Sequence, residues 1–294
     1  MSWEFSFPRR RQKRRIAELT EYLEKVNTNT AGCIVYTTED EFSHLQDEIY
    51  KTVTSLHKTR EDALLAKANY AENLANIAHQ LKTPITAISI SLQLMEKQQS
   101  MEKRQSMEEQ YMKQIKKQLD RLSTLEESLL LLSRLDNGTI PMKNEAVDLY
   151  TVLNLASDNL DTLLAERNIT VEIREQGCVR IEGDLEWTME AFMNLIKNCA
   201  EHAPANSQVH CTYEKNPLYT EILIWDEGNG FKEEDLPHLF ERFYRGNSSK
   251  GTGIGIGLSI ARAILELENG YITAKNRNEG GACFEIRIYD KVCH

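Results

Sequence analysis

The sequence predicts two unlike folded regions in series: an all-α helical hairpin that forms a dimeric four-helix bundle with a second copy of the chain, then an α/β sandwich. Three observations carry this reading. Apolar residues recur at three- to four-residue spacing from Leu45 to Met95, and no glycine falls between Gly32 and Gly138. A second stripe of the same period runs from Ile115 to Leu135. Beyond Pro141 the texture changes to short strand-like runs alternating with helical ones.

Composition bounds the rest. The 294 residues carry 35 Lys+Arg against 45 Asp+Glu, a net charge of -10, which argues against nucleic acid as a partner. Hydrophobic residues at 41% and charged residues at 27% are an ordinary globular balance. No apolar run approaches the ~18 residues needed to span a bilayer, so the chain as given reads as soluble. Cys33, Cys178, Cys199, Cys211, Cys283 and Cys293 show neither CxxC pairing nor zinc-ligand spacing and read as reduced cytoplasmic thiols. Arg9, Arg10, Arg11, Lys13, Arg14 and Arg15 crowd behind Trp3, Phe5 and Phe7. That block suits the cytoplasmic flank of a transmembrane helix or an anionic lipid surface, and suits a solvated tail equally well.

The elements follow in order. A short amphipathic helix is expected from Ile16 to about Asn27, then a connector holding Gly32, then a second helix from Asp40 or Glu41. An unbroken helix over about 44–98 would measure roughly 80 Å at ~1.5 Å per residue. One small domain cannot cover such a rod, so partner helices must. The stripe of Leu119, Leu122, Leu125, Leu129 and Leu132 supplies one, with Lys97 to Glu109 as the turn and Asn137-Gly138 before Pro141 as the stop. Two helices make half a bundle, and a second chain completes it as a homodimer. After Pro141, strands are expected at Thr170–Arg174, Val209–Tyr213, Tyr219–Trp225 and Cys283–Tyr289, with helices at 148–165, 185–202 and 255–268. They make a mixed sheet covered on one face.

Three local patterns carry chemistry. Asp226-Glu-Gly-Asn-Gly230 closes the apolar run of Ile222 to Trp225, placing a carboxylate where it can accept from an exocyclic amine while Gly228 and Gly230 admit a flat ring. Gly251-Thr-Gly253-Ile-Gly255-Ile-Gly257 leads into Leu258 and a helix, a run of backbone N–H groups that can hold phosphate oxygens. Asn194 and Asn198 lie one helical turn apart, so their carbonyl oxygens can face a common hard cation. Each alone is a common structural pattern. In series they can close around a nucleotide.

With these residues in view, the chain resembles bacterial sensor histidine kinases of two-component systems. Ala78-His-Gln-Leu-Lys-Thr-Pro-Ile-Thr86 resembles the phosphoacceptor box and Phe192-Met-Asn-Leu-Ile-Lys-Asn198 the N box. Asp226 to Gly230 and Gly253 to Leu258 resemble the two glycine boxes, and Leu239-Phe-Glu-Arg-Phe-Tyr-Arg245 the phenylalanine box. The resemblance implies a HisKA-type dimerisation and phosphotransfer domain over 59–140 and a gyrase/chaperone-like ATP-binding domain over 141–294. Residues 16–58 resemble a HAMP linker, with Asp40-Glu41 at its acidic pair, and residues 1–15 become a basic juxtamembrane segment or an appended tail. A membrane-spanning sensor region outside this chain is then implied, with the intact protein in the bacterial inner membrane and this portion cytoplasmic.

The resemblance also assigns roles. His79, on the solvent-facing side set by Leu74, Ile77 and Leu81, attacks the ATP γ-phosphorus to give a phosphoramidate and ADP. Gln80 stands where the family usually has Glu or Asp; it is no base, but its carbonyl oxygen can orient an imidazole N–H. Thr83 positions water for dephosphorylating a response-regulator receiver domain, the expected partner, and Pro84 bends the rod. Asp226 reads adenine, Asn198 holds Mg2+, Asn194 makes a second phosphate or water contact, and His202 packs near the base. Gly253, Gly255, Gly257 and Leu258 hold phosphates, and residues 229–252 form a lid over them. Glu201 stands where lysine is frequent, which moves phosphate binding to Arg242, Arg245 and Lys250. Arg242 is preferred at the γ-phosphate, with a surface salt bridge as the other reading, and Glu190 reads as a surface acid. Gln80 and Glu201 also fit a phosphatase-dominant or weakly active kinase. A gyrase-like ATPase or chaperone would share the nucleotide motifs, but leaves His79 unexplained.

Overall fold

The structure is a computed structural model describing residues 41–97, 104–175, 177–246 and 254–290, together with Arg14, Ile16, Ala17, Thr20 and Glu21. Most of the helix expected over 16–27, the connector after it and Asp40 lie outside the described residues, as do Lys250 and Gly253. By its internal packing the chain divides into residues 1–72 and 73–294.

Helix α1 spans Glu41–Lys97, 57 residues with Pro84 inside it. The helix continues through Pro84 rather than stopping there. In the first unit Leu56, Leu64, Leu65 and Tyr70 are exposed. In the second, Leu74, Leu81, Ile85 and Leu92 recur at intervals of seven and four residues and are also exposed. Helix α2 spans Arg104–Asp136. The polar stretch expected as a turn up to Glu109 is therefore helical from Arg104, because Gln, Met and Glu favour helix and no Gly or Pro interrupts them. Ile115, Leu125, Leu132 and Leu135 of α2 are buried, whereas Leu119 and Leu130 are about half exposed.

Helix α2 stops where the sequence says it should. Gly138 is left-handed at φ 59°, and its N–H donates to the Leu135 carbonyl at 3.1 Å while the Thr139 N–H reaches back to Arg134 at 3.1 Å. Those paired bonds close a Schellman motif, which satisfies carbonyls the helix end would leave orphaned.

The sandwich follows as β1 (Glu145–Asp148), α3 (Leu149–Asp158), α4 (Asp161–Arg167), β2 (Thr170–Ile173), β3 (Arg180–Gly183), α5 (Leu185–His202), β4 (Gln208–Lys215), β5 (Tyr219–Asp226), a 3-10 turn (Leu236–His238), α6 (Gly257–Leu267), β6 (Gly270–Asn276) and β7 (Ala282–Tyr289). The main sheet runs β2-β4-β5-β7-β6. Its β2–β4 pair is parallel and the others antiparallel; β1 and β3 form a separate antiparallel pair. The expected helix over 148–165 is two helices, because Asn159 turns its amide onto the Leu155 carbonyl and ends the first. Strands β1, β3 and β6 went unforeseen. Two are four residues long, and the third follows α6 after only Glu268 and Asn269.

Caps fix two helix starts. The Asp148 carboxylate accepts from the Thr151 N–H at 3.0 Å, and Asp184 accepts from Glu186 and Trp187. The core lies between the sheet and α3, α5 and α6. Val152, Leu153, Phe192, Leu195, Ile196 and Ile264 come from the helices, and Val209, Tyr213, Phe284 and Ile286 from the strands. Truncating one of these would cost ~2–5 kcal/mol. Strand alternation has one consequence that matters for the site. The period that turns Thr220, Ile222 and Ile224 inward also carries Asp226 inside, as the last residue of β5.

Candidate functional site

Asp226 is 1% exposed. Its Oδ1 accepts from the Gly228 N–H at 2.7 Å and the Ala282 N–H at 3.2 Å. Its Oδ2 is buried without a hydrogen-bond partner. Burial pushes this carboxyl above the ordinary carboxylate range, against the pull of the two N–H donors and of the neighbouring Cys199 thiol. A buried carboxylate oxygen left open costs on the order of 1–3 kcal/mol or more, a cost that an N–H donor on a ligand would relieve. The neighbouring glycines are required by space. A Cβ on Gly228 would meet Asp226 Oδ1 and the His202 carbonyl oxygen at 2.8 Å, and one on Gly230 would meet Asn276 Oδ1 at 2.5 Å.

Asn276 escaped the sequence reading. Its Oδ1 accepts from the Phe231 N–H at 2.7 Å and its Nδ2 donates to the Phe231 carbonyl at 2.8 Å. Nothing near Asn276 in the sequence marks it. Gly280-Gly281, which lets β7 start against Asp226, was a visible signal.

A cavity of 960 Å³ surrounds this carboxylate and is walled by α2, α5, the segment 229–246 and the start of α6. Asp226, Asn194, Asn198, His202, Gly230 and Gly255 line it, as do Gly257, Leu258 and Arg245. The structure thus brings together most of the expected ATP-binding residues. Gly255, at φ 81°, sits so close to the Phe243–Tyr244 backbone that a Cβ would meet the Tyr244 carbonyl oxygen at 2.7 Å. Tyr244 donates its hydroxyl to Asp235 Oδ1 at 2.6 Å. That bond, first among its causes, raises the Tyr244 hydroxyl to about 12.

Two expectations change. Arg242 is not among the residues lining the cavity; its guanidinium is held by Asp136 at the end of α2, the salt bridge that was the other reading of this residue. Glu190 is not a free surface acid, since it lies in the cavity wall and accepts from Asn194. The sequence reading also missed two cations of the wall, Lys197 and Lys232. Lys197 stands directly before Asn198 and could have been noticed. Glu201 lies in the wall as well, so a carboxylate does stand where a cation was missed.

His79 is exposed on α1, and it is not among the residues lining the cavity. Gln80 beside it is half-buried. Thr83, one turn on, donates its hydroxyl to the His79 carbonyl at 3.2 Å.

Comparison with known proteins agrees with this geometry. The model of the "Histidine kinase-, DNA gyrase B-, and HSP90-like ATPase" family matches residues 183–291, and that of the "His Kinase A (phospho-acceptor) domain" matches residues 71–138. Together they span more than half of the chain. The chain is 32% identical over 228 residues to the sensor protein SphS of Synechococcus elongatus, covering 73% of this chain and 54% of that protein. It is 29% identical to the heme sensor protein HssS of Staphylococcus saprophyticus, covering 85% and 52%. The chain therefore spans about half the length of these relatives. Its fold is similar to that of the Acinetobacter baumannii histidine kinase AdeS, with a TM-score of 0.58, 24% identity, and 72% and 97% of the two chains covered. It is also similar to histidine kinase ThkA in complex with response regulator protein TrrA, at 0.60 and 22% identity, covering 83% and 67%. With a phospho-acceptor-domain match over the residues that include His79 and an ATPase-family match over those that include Asp226, the chain belongs to the bacterial sensor histidine kinases.

Proposed function

We propose that the protein phosphorylates itself on His79 from ATP and passes the phosphoryl group to an aspartate of a response-regulator receiver domain. The observation that carries the nucleotide half is the open Oδ2 of Asp226 in a cavity large enough for ATP. That oxygen accepts from the adenine amine, a donor that purines without an exocyclic amine lack. The backbone N–H groups at the start of α6 and Lys232 face the phosphates.

The side-chain oxygens of Asn198 and Asn194 fit a hard cation. A magnesium ion bound there supplies charge that neutralises the phosphate oxygens. Lys197 and Arg245 add cationic character to the same wall.

In the reaction, an imidazole nitrogen of His79 forms the bond to the γ-phosphorus as the bond to the ADP oxygen breaks, and the ring proton leaves to solvent. Gln80 orients the ring through its carbonyl oxygen. Because His79 stands outside the cavity wall, the sandwich must move relative to the hairpin before transfer. Thr83 places water for the reverse task, removing the phosphoryl group from the receiver.

The exposed row of Leu74, Leu81, Ile85 and Leu92 supports a homodimeric four-helix bundle. The basic block before Ile16 and the greater length of the relatives support a HAMP-like linker over 16–58 and a membrane span outside this chain. This portion would then face the cytoplasm.

Incubation with γ-labelled ATP tests the proposal. Label should be acid-labile and alkali-stable, absent from His79→Ala, and transferable to a receiver domain. Label that survives His79→Ala removes this histidine as the acceptor.

A further inference from the structure

We propose that Glu190 is a positioning residue for the metal end of the site, fixing the Asn194 amide so that its carbonyl oxygen faces the phosphates. This rests on the reading of Asn194 and Asn198 as the cation's oxygen donors. Glu190 offers Asn194 two acceptors, its backbone carbonyl and its Oε1, both 2.9 Å from Nδ2. Only an NH2 group can bond to both, so chemistry decides which way round this amide sits. Oδ1 is then turned away from Glu190. An independent observation shows where it goes: a Cβ built on Gly257 would meet Asn194 Oδ1 at 2.5 Å. The oxygen therefore stands against the first residue of α6, at the phosphate end of the cavity.

Helix geometry makes the arrangement possible. Glu190 and Asn194 are one turn apart on α5, and so are Asn194 and Asn198, which puts all three along the cavity wall. Without Glu190 the amide loses its side-chain anchor and can rotate, presenting N–H donors to a cation that needs oxygen. The carboxylate thus acts through Asn194, without itself having to touch the metal.

Binding of a fluorescent, non-hydrolysable ATP analogue to the full chain tests this, measured with EDTA and again with magnesium. In Glu190→Ala the magnesium-dependent gain in affinity should fall by about tenfold, the lower end of what outer-shell partners of metal sites contribute. Metal-free affinity should stay within about twofold. Glu190→Gln keeps an acceptor oxygen and should retain the gain, whereas Gly257→Ala, which presses on Asn194 Oδ1 from the other side, should lose it. The inference is overturned if Glu190→Ala keeps the gain, if it weakens binding equally with and without magnesium, or if Glu190→Gln is as impaired as Glu190→Ala. An unaffected Gly257→Ala overturns it too, independently of how the Glu190 variants fold. Asn198→Ala is the control on the underlying reading: it should lose the magnesium gain, and a full gain in that variant sinks the metal site itself, whatever the Glu190 variants do.

Discussion

The Arg242 guanidinium holds the Asp136 carboxylate with both prongs, Nη1 to Oδ2 at 2.7 Å and Nη2 to Oδ1 at 2.5 Å. One partner is the last residue of α2 and the other stands directly before Phe243 and Tyr244, so the pair ties the end of α2 to the segment 229–246 of the cavity wall. A double-mutant cycle of Asp136→Ala and Arg242→Ala should give a coupling of about 0.2–1 kcal/mol in chemical unfolding, as expected for a partly exposed pair. Both single variants should change the autophosphorylation rate in the same sense. An ATP-to-ADP affinity ratio that collapses in Arg242→Ala alone would return this arginine to the γ-phosphate.

Asp226→Asn should weaken ATP binding by about ten- to hundredfold, the worth of a hydrogen bond to a charged group, because the amide turns a donor toward the adenine amine. It should also melt at a higher temperature than the parent at neutral pH. The sign follows from burial, which raises the folded-state value of this carboxyl. The protonated form is therefore favoured on folding, and stability is lost as pH rises from below the unfolded value through the folded one. The advantage of the neutral variant should shrink as pH falls toward about 4, the ordinary carboxylate range, read from thermal melts across the range. An Asn variant whose advantage over the parent is no larger at neutral pH than in acid would contradict that account.

Gly281→Ala should destabilise the sandwich by about 2 kcal/mol or more. Gly281 has φ 94°, and a Cβ there would fall within the Asp226 carbonyl oxygen. Urea unfolding gives the magnitude. Nucleotide binding should fall as well, since the Ala282 N–H that holds Asp226 Oδ1 would shift. Gly138→Ala, with nothing within 4 Å of its added carbon, should cost only the strain of its left-handed backbone and leave binding intact.

Leu81→Glu combined with Ile85→Glu should convert the protein to a monomer in light scattering while ATP binding persists. These side chains are 36% and 52% exposed in the single chain, and a charge placed between helices is costly to bury. A parent protein that is itself monomeric at micromolar concentration would refute the bundle.

Much of this architecture was legible because it rests on periodicity and on glycine. The heptad-like recurrence along 41–97 and the alternation from Thr220 to Asp226 are strong local signals, and both give the element; the second also gives the buried face, whereas the apolar row on α1 is exposed in the single chain. The N box was readable because i,i+4 spacing on a helix is a geometric statement. What escaped was set by partners distant in sequence. The length of β6 is decided by β7, and the engagement of Arg242 by a residue of α2 far upstream in the chain. Glu190 was misjudged for a different reason. Its place a further turn from Asn194 reads as outside the site, whereas that very spacing lets the Asn194 amide donate to a half-buried carboxylate.

The double hydrogen bond between the Asn276 side chain and the Phe231 backbone imitates a rung of β-sheet with a single amide. It clamps the chain immediately after Gly230, as a staple holds a ribbon at one point. A hinge in the downstream segment would therefore lie beyond Phe231, leaving Asp226 and Gly230 in place. On the proposed nucleotide site, the residues that would hold the base are thus anchored separately from the segment that would face the triphosphate tail.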